Sequence, residues 1–159
     1  VRRVTIVDLD VHQGDGTAAL FGEEPDVFTM SLHCGAHFPF RNATSDLDVD
    51  VPRGAADREY LQLLRTHPPA VLDRNRPELV LYDAGVGVYA DDQLGYLNLS
   101  HAGIYQRDRY VIDTCVARSV PIACVIGGGY DRNAQALARR HALLHRAASH
   151  VWRQRRLGS

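Results

Sequence analysis

Asp10 and His12 stand two residues apart in the segment IVDLDVHQGDGT, residues 6–17. In an extended chain, residues i and i+2 point to the same side. A carboxylate and an imidazole facing one way are a ready pair of ligands for a divalent metal. Asp8, two residues deeper, shares that side. A bare charge at such a position is costly, so Asp8 must be paired. It can support a histidine ring from behind or join an alkali-metal site. The following Gly-Asp-Gly-Thr makes a sharp turn, with Asp15 placed to orient a neighbour. The plainer alternative is that Asp10 and His12 pair with each other or cap the next short helix, and a D-x-H spacing alone does not decide between them.

Two further segments supply context. VGVYADDQLG, residues 86–95, contains Asp91 and Asp92, either a third oxygen ligand or simple turn caps. In GGGY, residues 127–130, the glycines let the backbone approach a ligand closely, and Tyr130 projects a phenol. Its plain reading is a flexible turn with a surface tyrosine. Taken together, two Asp and one His with an open position form the donor set of a catalytic zinc site.

The elements that must position these groups are legible from pattern. Apolar, β-branched runs at 4–9, 27–32, 79–85 and 122–129 predict buried strands. Helical patterns lie between them: 57–65, a new turn beginning at Pro68-Pro69 over 68–75, a helix over 101–118 capped by Ser100, and a last helix over 133–155. Strand alternating with helix predicts an α/β parallel sheet. In such sheets ligands bind beyond the carboxyl ends of the strands, where all three segments fall. Residues 34–56 and 84–99 read as long loops, a length that signals function.

Bulk composition narrows the class. A chain of 159 residues suits one domain, and 45% hydrophobic with 23% charged residues reads as globular. A formal charge of −1 provides no field to recruit nucleic acid or an anionic membrane surface. Cys34, Cys115 and Cys124 are odd in number and form no CxxC pair, which argues against a disulfide framework and a thiolate zinc knuckle. No apolar run approaches the ~20 residues that span a bilayer, so a cytoplasmic location is the expectation. Oligomeric state leaves no readable mark. Strand pattern begins at once after Val1, which predicts further sequence upstream.

In this order, VDLDVHQGDGT, SLH…FPF, ADDQLG and GGGY resemble the zinc-dependent histone deacetylase superfamily. The likeness is best to its bacterial and class IV branch, where Gln follows the metal-binding His as Gln13 follows His12. The resemblance implies a three-layer arginase/deacetylase-like fold, with its N-terminal part missing here. It implies Asp10, His12 and Asp92 as ligands of zinc or iron(II), and Tyr130 as hydrogen-bond donor to the substrate carbonyl. Gly128 and Phe38 would line an acyl-lysine tunnel, and Asp8 and Asp15 would stand behind a pair of catalytic histidines. The backbones of Asp8, Asp10, His12 and Leu32, with Ser31, would hold a structural potassium ion. The implied reaction is hydrolysis of an acetyl-lysine or of an acetylated small amine.

The chain also departs from the family's pattern. The tandem histidines lie upstream of the Asp-Leu-Asp-Val-His strand in the family and have no counterpart here, so this chain alone is expected to be inactive. Gly87 and Val88 stand where relatives more often have an Asp-Pro type pair. His33 reads as a packed strand-end residue. Two alternatives remain: an inactive truncated binding fragment, and an arginase-type guanidino hydrolase. The latter needs a carboxylate two residues after the D-x-H histidine, where Gly14 stands.

Overall fold

The structure, a computed structural model, describes residues 1–35 and 43–158. Its elements are β1 (Val4–Asp8), α1 (Asp15–Phe21), β2 (Val27–His33), β3 (Leu47–Asp50), α2 (Asp57–Asn75), β4 (Leu79–Asp83), α3 (His101–Ala117), β5 (Ile122–Val125) and α4 (Ala134–Arg155). The strands form one sheet in the order β3-β2-β1-β4-β5, and every pairing is parallel. The chain leaves central β1 toward β2 and β3, then crosses back to build β4 and β5 on the other side. That reversal opens a crevice at the carboxyl ends of β1 and β4, the place where open parallel sheets bind ligands.

The four predicted strands are present: β1, β4 and β5 stop short of their apolar runs, and β2 extends one residue beyond its run. β3 lies inside the stretch expected to be loop. It has four residues, Leu-Asp-Val-Asp, and runs along the sheet edge. Too short and acidic to read as a strand, it is suited to an edge, where charge discourages pairing with another chain. Asp46, just before it, accepts hydrogen bonds from Thr29 N (2.8 Å) and Thr29 Oγ1 (3.0 Å) and fixes the β2–β3 register.

Helix α2 is continuous, with both prolines inside it, where two segments were expected. Its buried stripe of Leu61, Leu64, Pro68, Val71 and Leu72 keeps helical spacing through the prolines, so tertiary burial offsets the roughly 3 kcal/mol an internal proline costs. The carbonyl of Arg65, which Pro69 cannot bond, faces the Tyr110 hydroxyl at 3.5 Å. α3 begins as expected, with the Ser100 side chain accepting from Gly103 N, and α4 begins with Asn133 accepting from Gln135 N and Ala136 N. The helix α1 falls in the Gly-Asp-Gly-Thr segment read as a turn. Among the described residues no helix is long and apolar enough to cross a membrane.

Candidate functional site at the strand tips

At the end of β1, each aspartate captures the amide two residues on. Asp8 Oδ1 accepts from Asp10 N, and Asp10 Oδ1 accepts from His12 N, both at 3.0 Å. Asp83 at the end of β4 does the same with Gly85 N at 2.9 Å. These Asx-type turns stop the strands and swing the backbone into the crevice. They also explain why this chain alternates Asp along an element that it buries.

His12 Nδ1 donates to Asp10 Oδ1 at 2.9 Å. Asp10 and His12 pair with each other, the plainer of the two expectations, in the bend just beyond β1. That contact raises the His12 pKa, and the negative charges of Asp92 and Asp8 add to it. For Asp10, burial pushes upward, but the hydrogen bonds from His12 outweigh it and hold the carboxyl below its usual range. Asp8 is pushed up to about 7 by burial and by the neighbouring Asp83 carboxylate. Asp83 is raised by burial and by Asp10. Three acids at adjacent strand tips thus crowd a small volume.

The second oxygen of Asp10 has no hydrogen-bond partner although it is buried. Glycines surround it. A Cβ on Gly128 would lie 2.8 Å from this Oδ2 and one on Gly87 3.3 Å from it, while one on Gly85 would collide with it. A buried, unpartnered carboxylate oxygen in a cradle without side chains is suited to a cation, so Asp10 with His12 fits a divalent ion.

Asp92 sits differently. Its Oδ1 accepts from Leu94 N and Gly95 N, both at 3.0 Å, and its Oδ2 accepts from Tyr130 N at 2.6 Å. Arg140 Nη1 lies 3.9 Å from the same Oδ2. Both oxygens therefore face backbone amides. Among the described residues no three His, Cys, Asp or Glu side chains gather to hold a metal ion; Asp10 and His12 are in direct contact, and the Asp92 charge acts on His12. The tight turn over residues 92–95 and the Tyr130 loop both need an acceptor, and Asp92 supplies it.

Asp92 thereby ties Tyr130 to the site by its main chain, while the phenol side is half exposed. Gly129, at φ 141°, takes a backbone conformation that favours glycine and turns the chain into Tyr130. Gly128 lies beside the Asp10 carboxyl, as a wall position should. Asp15 is exposed in the first turn of α1. Ser31 lies opposite Asp8 in the β1–β2 register, with Leu32 fully buried next to it. His33 is buried and hydrogen-bonded to Ser31 Oγ at 2.9 Å, the packed strand-end role expected of it. Phe38 lies outside the described residues. Gln13 donates to Ala43 O (2.7 Å) and Asp48 Oδ1 (3.0 Å), fastening the β1 tip to the sheet edge.

The sequence reading missed the support beneath the crevice. Arg107 on α3 is fully buried. Its Nη1 donates to Leu9 O (3.1 Å) and Gly85 O (2.7 Å), its Nη2 to Ala84 O (3.2 Å) and its Nε to Asp108 Oδ1 (2.9 Å). Tyr60 adds a hydroxyl to Leu9 O at 3.3 Å, and Tyr82 donates to Asp108 at 2.6 Å. One guanidinium thus pins the backbones leading into Asp10 and into the Gly85–Gly87 loop. The signal was present: Arg107 and Asp108 occupy the apolar stripe that Ile104, Val111, Ile112 and Cys115 define. A charged pair on a stripe facing the core is buried and must be serving something.

Comparison with known proteins gives the family and the fold. A family model described as the histone deacetylase domain matches residues 1–146. An uncharacterized protein of Picosynechococcus sp. is 51% identical over 95% of this chain and 50% of its own length. Histone deacetylase 2 of Arabidopsis thaliana is 34% identical over 84% of this chain and 35% of its own length. The crystal structure of a histone deacetylase homolog from Aquifex aeolicus superposes with a TM-score of 0.75 at 25% identity, covering 92% of this chain and 42% of that one. The chain therefore spans half or less of the length of these relatives.

Proposed function

We propose a function that starts from family membership: the chain belongs to the histone deacetylase family, and its strand-tip crevice is the part of a deacetylase site that receives the acylated amine. The sheet is the arginase/deacetylase-like α/β fold. The observation that carries the reading is the buried, unpartnered Oδ2 of Asp10, paired through its other oxygen with His12 and flanked by glycines and the Tyr130 loop. The reaction is hydrolysis of an acetyl-lysine or of an acetylated small amine.

Asp10, His12 and Asp92 are the residues of this chain that would hold a zinc or iron(II) ion. Such an ion, when bound, polarises a carbonyl and acidifies water. Tyr130 donates its hydroxyl to the carbonyl oxygen as negative charge develops there, and Gly128 leaves room for the acyl chain at the wall. Phe38 would line the same passage. Asp92 holds the Tyr130 backbone in place. Asp8 and Asp15 stand behind the groups that move protons, and the Asp8, Asp10, His12, Ser31 and Leu32 segment would hold a structural potassium ion. A cytoplasmic location and a substrate that is neither nucleic acid nor membrane complete the reading.

The test is acetate release by the full-length protein from an acetyl-lysine peptide and from an acetylated polyamine. Hydrolysis of either, lost on His12→Ala, supports the reading; no hydrolysis of either by metal-supplemented protein rejects it.

A further inference from the structure

Tyr130 is held on both sides of its own Cα. Its amide donates to Asp92 Oδ2 at 2.6 Å, and the side chain of the next residue, Asp131, accepts from Arg140 Nη2 on α4. Upstream, Gly128 O accepts from Val86 N at 2.7 Å, and Gly129 lies between that bond and Tyr130. Three glycines in a row, 127–129, give the backbone on that side little stiffness of its own. Downstream the chain is firmer. Asp131 Oδ1 accepts from Asn133 N at 2.8 Å, and Asn133 in turn caps α4.

Arg140 is not a solvated helix residue. It is 1% exposed, although its neighbour Arg139 is exposed. An arginine is almost never fully buried unless it is paired. Its Nη1 lies 3.9 Å from Asp92 Oδ2, and its guanidinium carbon stands 4.6 Å from the centre of the Tyr89 ring. Its Nε and Nη1 have no hydrogen-bond partner among the described residues, so the bond from Nη2 to Asp131 is the directional contact that this buried cation makes there. Tyr89 and Asp92 belong to the loop after β4, and Asp131 belongs to the loop after β5. One side chain from α4 therefore joins the two loops.

We propose that Arg140 and Asp131 are positioning residues for the Tyr130 phenol: their ion pair fixes the backbone just after Tyr130, as Asp92 fixes the amide before its Cα, and together the two anchors hold the hydroxyl at the crevice. The proposal rests on the deacetylase reading for what the hydroxyl does, but the anchoring itself is read without turnover.

The test uses the full-length protein and the variants Asp131→Ala and Arg140→Met, each alone and combined with Tyr130→Phe. Acetate release from an acetyl-lysine peptide gives kcat and KM. In the Tyr130 background, kcat should fall roughly 10–100-fold with KM little changed, since misplacing a reacting group costs on that scale. In the Tyr130→Phe background the same substitutions should cause no further fall, because residues that act as a unit are not additive. A residue that only stabilises the fold would lower both backgrounds equally. Asp131→Asn, which keeps an acceptor, should retain more of the rate than Asp131→Ala. Hydrogen exchange of the amides in residues 128–131 should quicken at least about tenfold in Asp131→Ala, with β1 and β4 unchanged, as for a local opening.

An equal loss of kcat in both backgrounds would overturn the proposal, and so would exchange in residues 128–131 that matches wild type. Should Arg140→Met not fold, Asp131→Ala decides alone. If no protein releases acetate, wild type included, the deacetylase reading fails and the exchange result alone decides whether the ion pair holds the Tyr130 loop.

Discussion

The main-chain amide of Tyr130 donates to Asp92 Oδ2 at 2.6 Å, so a carboxylate from the loop after β4 fixes the loop after β5. The same carboxyl holds Leu94 N and Gly95 N and lies against Arg140. Asp92→Ala strands these amides and weakens the compensation of a buried guanidinium. The expected loss is at least about 2 kcal/mol of folding stability, read by urea denaturation. An unchanged midpoint would show that these contacts do not hold the loop.

Arg107 is the keystone beneath the crevice, with Asp108 as its counter-charge. Arg107→Met keeps much of the side-chain volume but leaves Asp108 as a lone buried charge and removes a donor from Leu9 O, Ala84 O and Gly85 O. The expected cost is about 3–5 kcal/mol, as for breaking other buried ion pairs from one side. Denaturation within about 0.5 kcal/mol of wild type, the range of an ordinary surface substitution, would contradict the role.

Tyr130→Phe removes the phenol hydroxyl but leaves the amide bonded to Asp92. Melting should therefore be unchanged, while acetate release by the full-length protein falls roughly 10²–10³-fold, the loss seen on removing an oxyanion donor. Equal rates for the two proteins would remove Tyr130 from the chemistry.

What the sequence made legible follows from which signals are local. The D-x-H pair was readable because residues 10 and 12 stand two apart just beyond the tip of β1, where successive Asx-type turns bring their side chains together. The alternating strands and helices gave the parallel sheet. β3 was lost because four acidic-apolar residues at an edge look like loop, and the break at Pro68 was overread because burial of the whole α2 stripe is a tertiary effect. That Asp92 also fastens the Tyr130 loop was not legible for a related reason. Nothing in ADDQLG shows that its acceptor would be needed by Tyr130 N, 38 residues away. Arg107 could have been found from its place on the α3 stripe, but its carbonyl partners come from segments 22 and 98 residues distant.

Cys115 gives a pH test away from the site. Burial pushes its thiol up to about 12, with Cys124 nearby adding to the effect, against an ordinary value of 9.0. The folded state therefore keeps the proton that the unfolded chain gives up first. This contribution is fully present below pH 9 and is lost as pH rises toward about 12. Stability followed by denaturation across that window should fall more steeply in wild type than in Cys115→Ala. At pH 8 the thiol should also react with a thiol reagent far more slowly than a free cysteine. Parallel stability slopes, or a fast-reacting Cys115, would contradict its burial.

The most direct test of the central claim is acetate release by the full-length protein as a function of added zinc, in wild type and His12→Ala. The account predicts that metal-stripped wild type regains turnover on addition of zinc and that His12→Ala does not. A His12→Ala protein that releases acetate at the wild-type rate would contradict it.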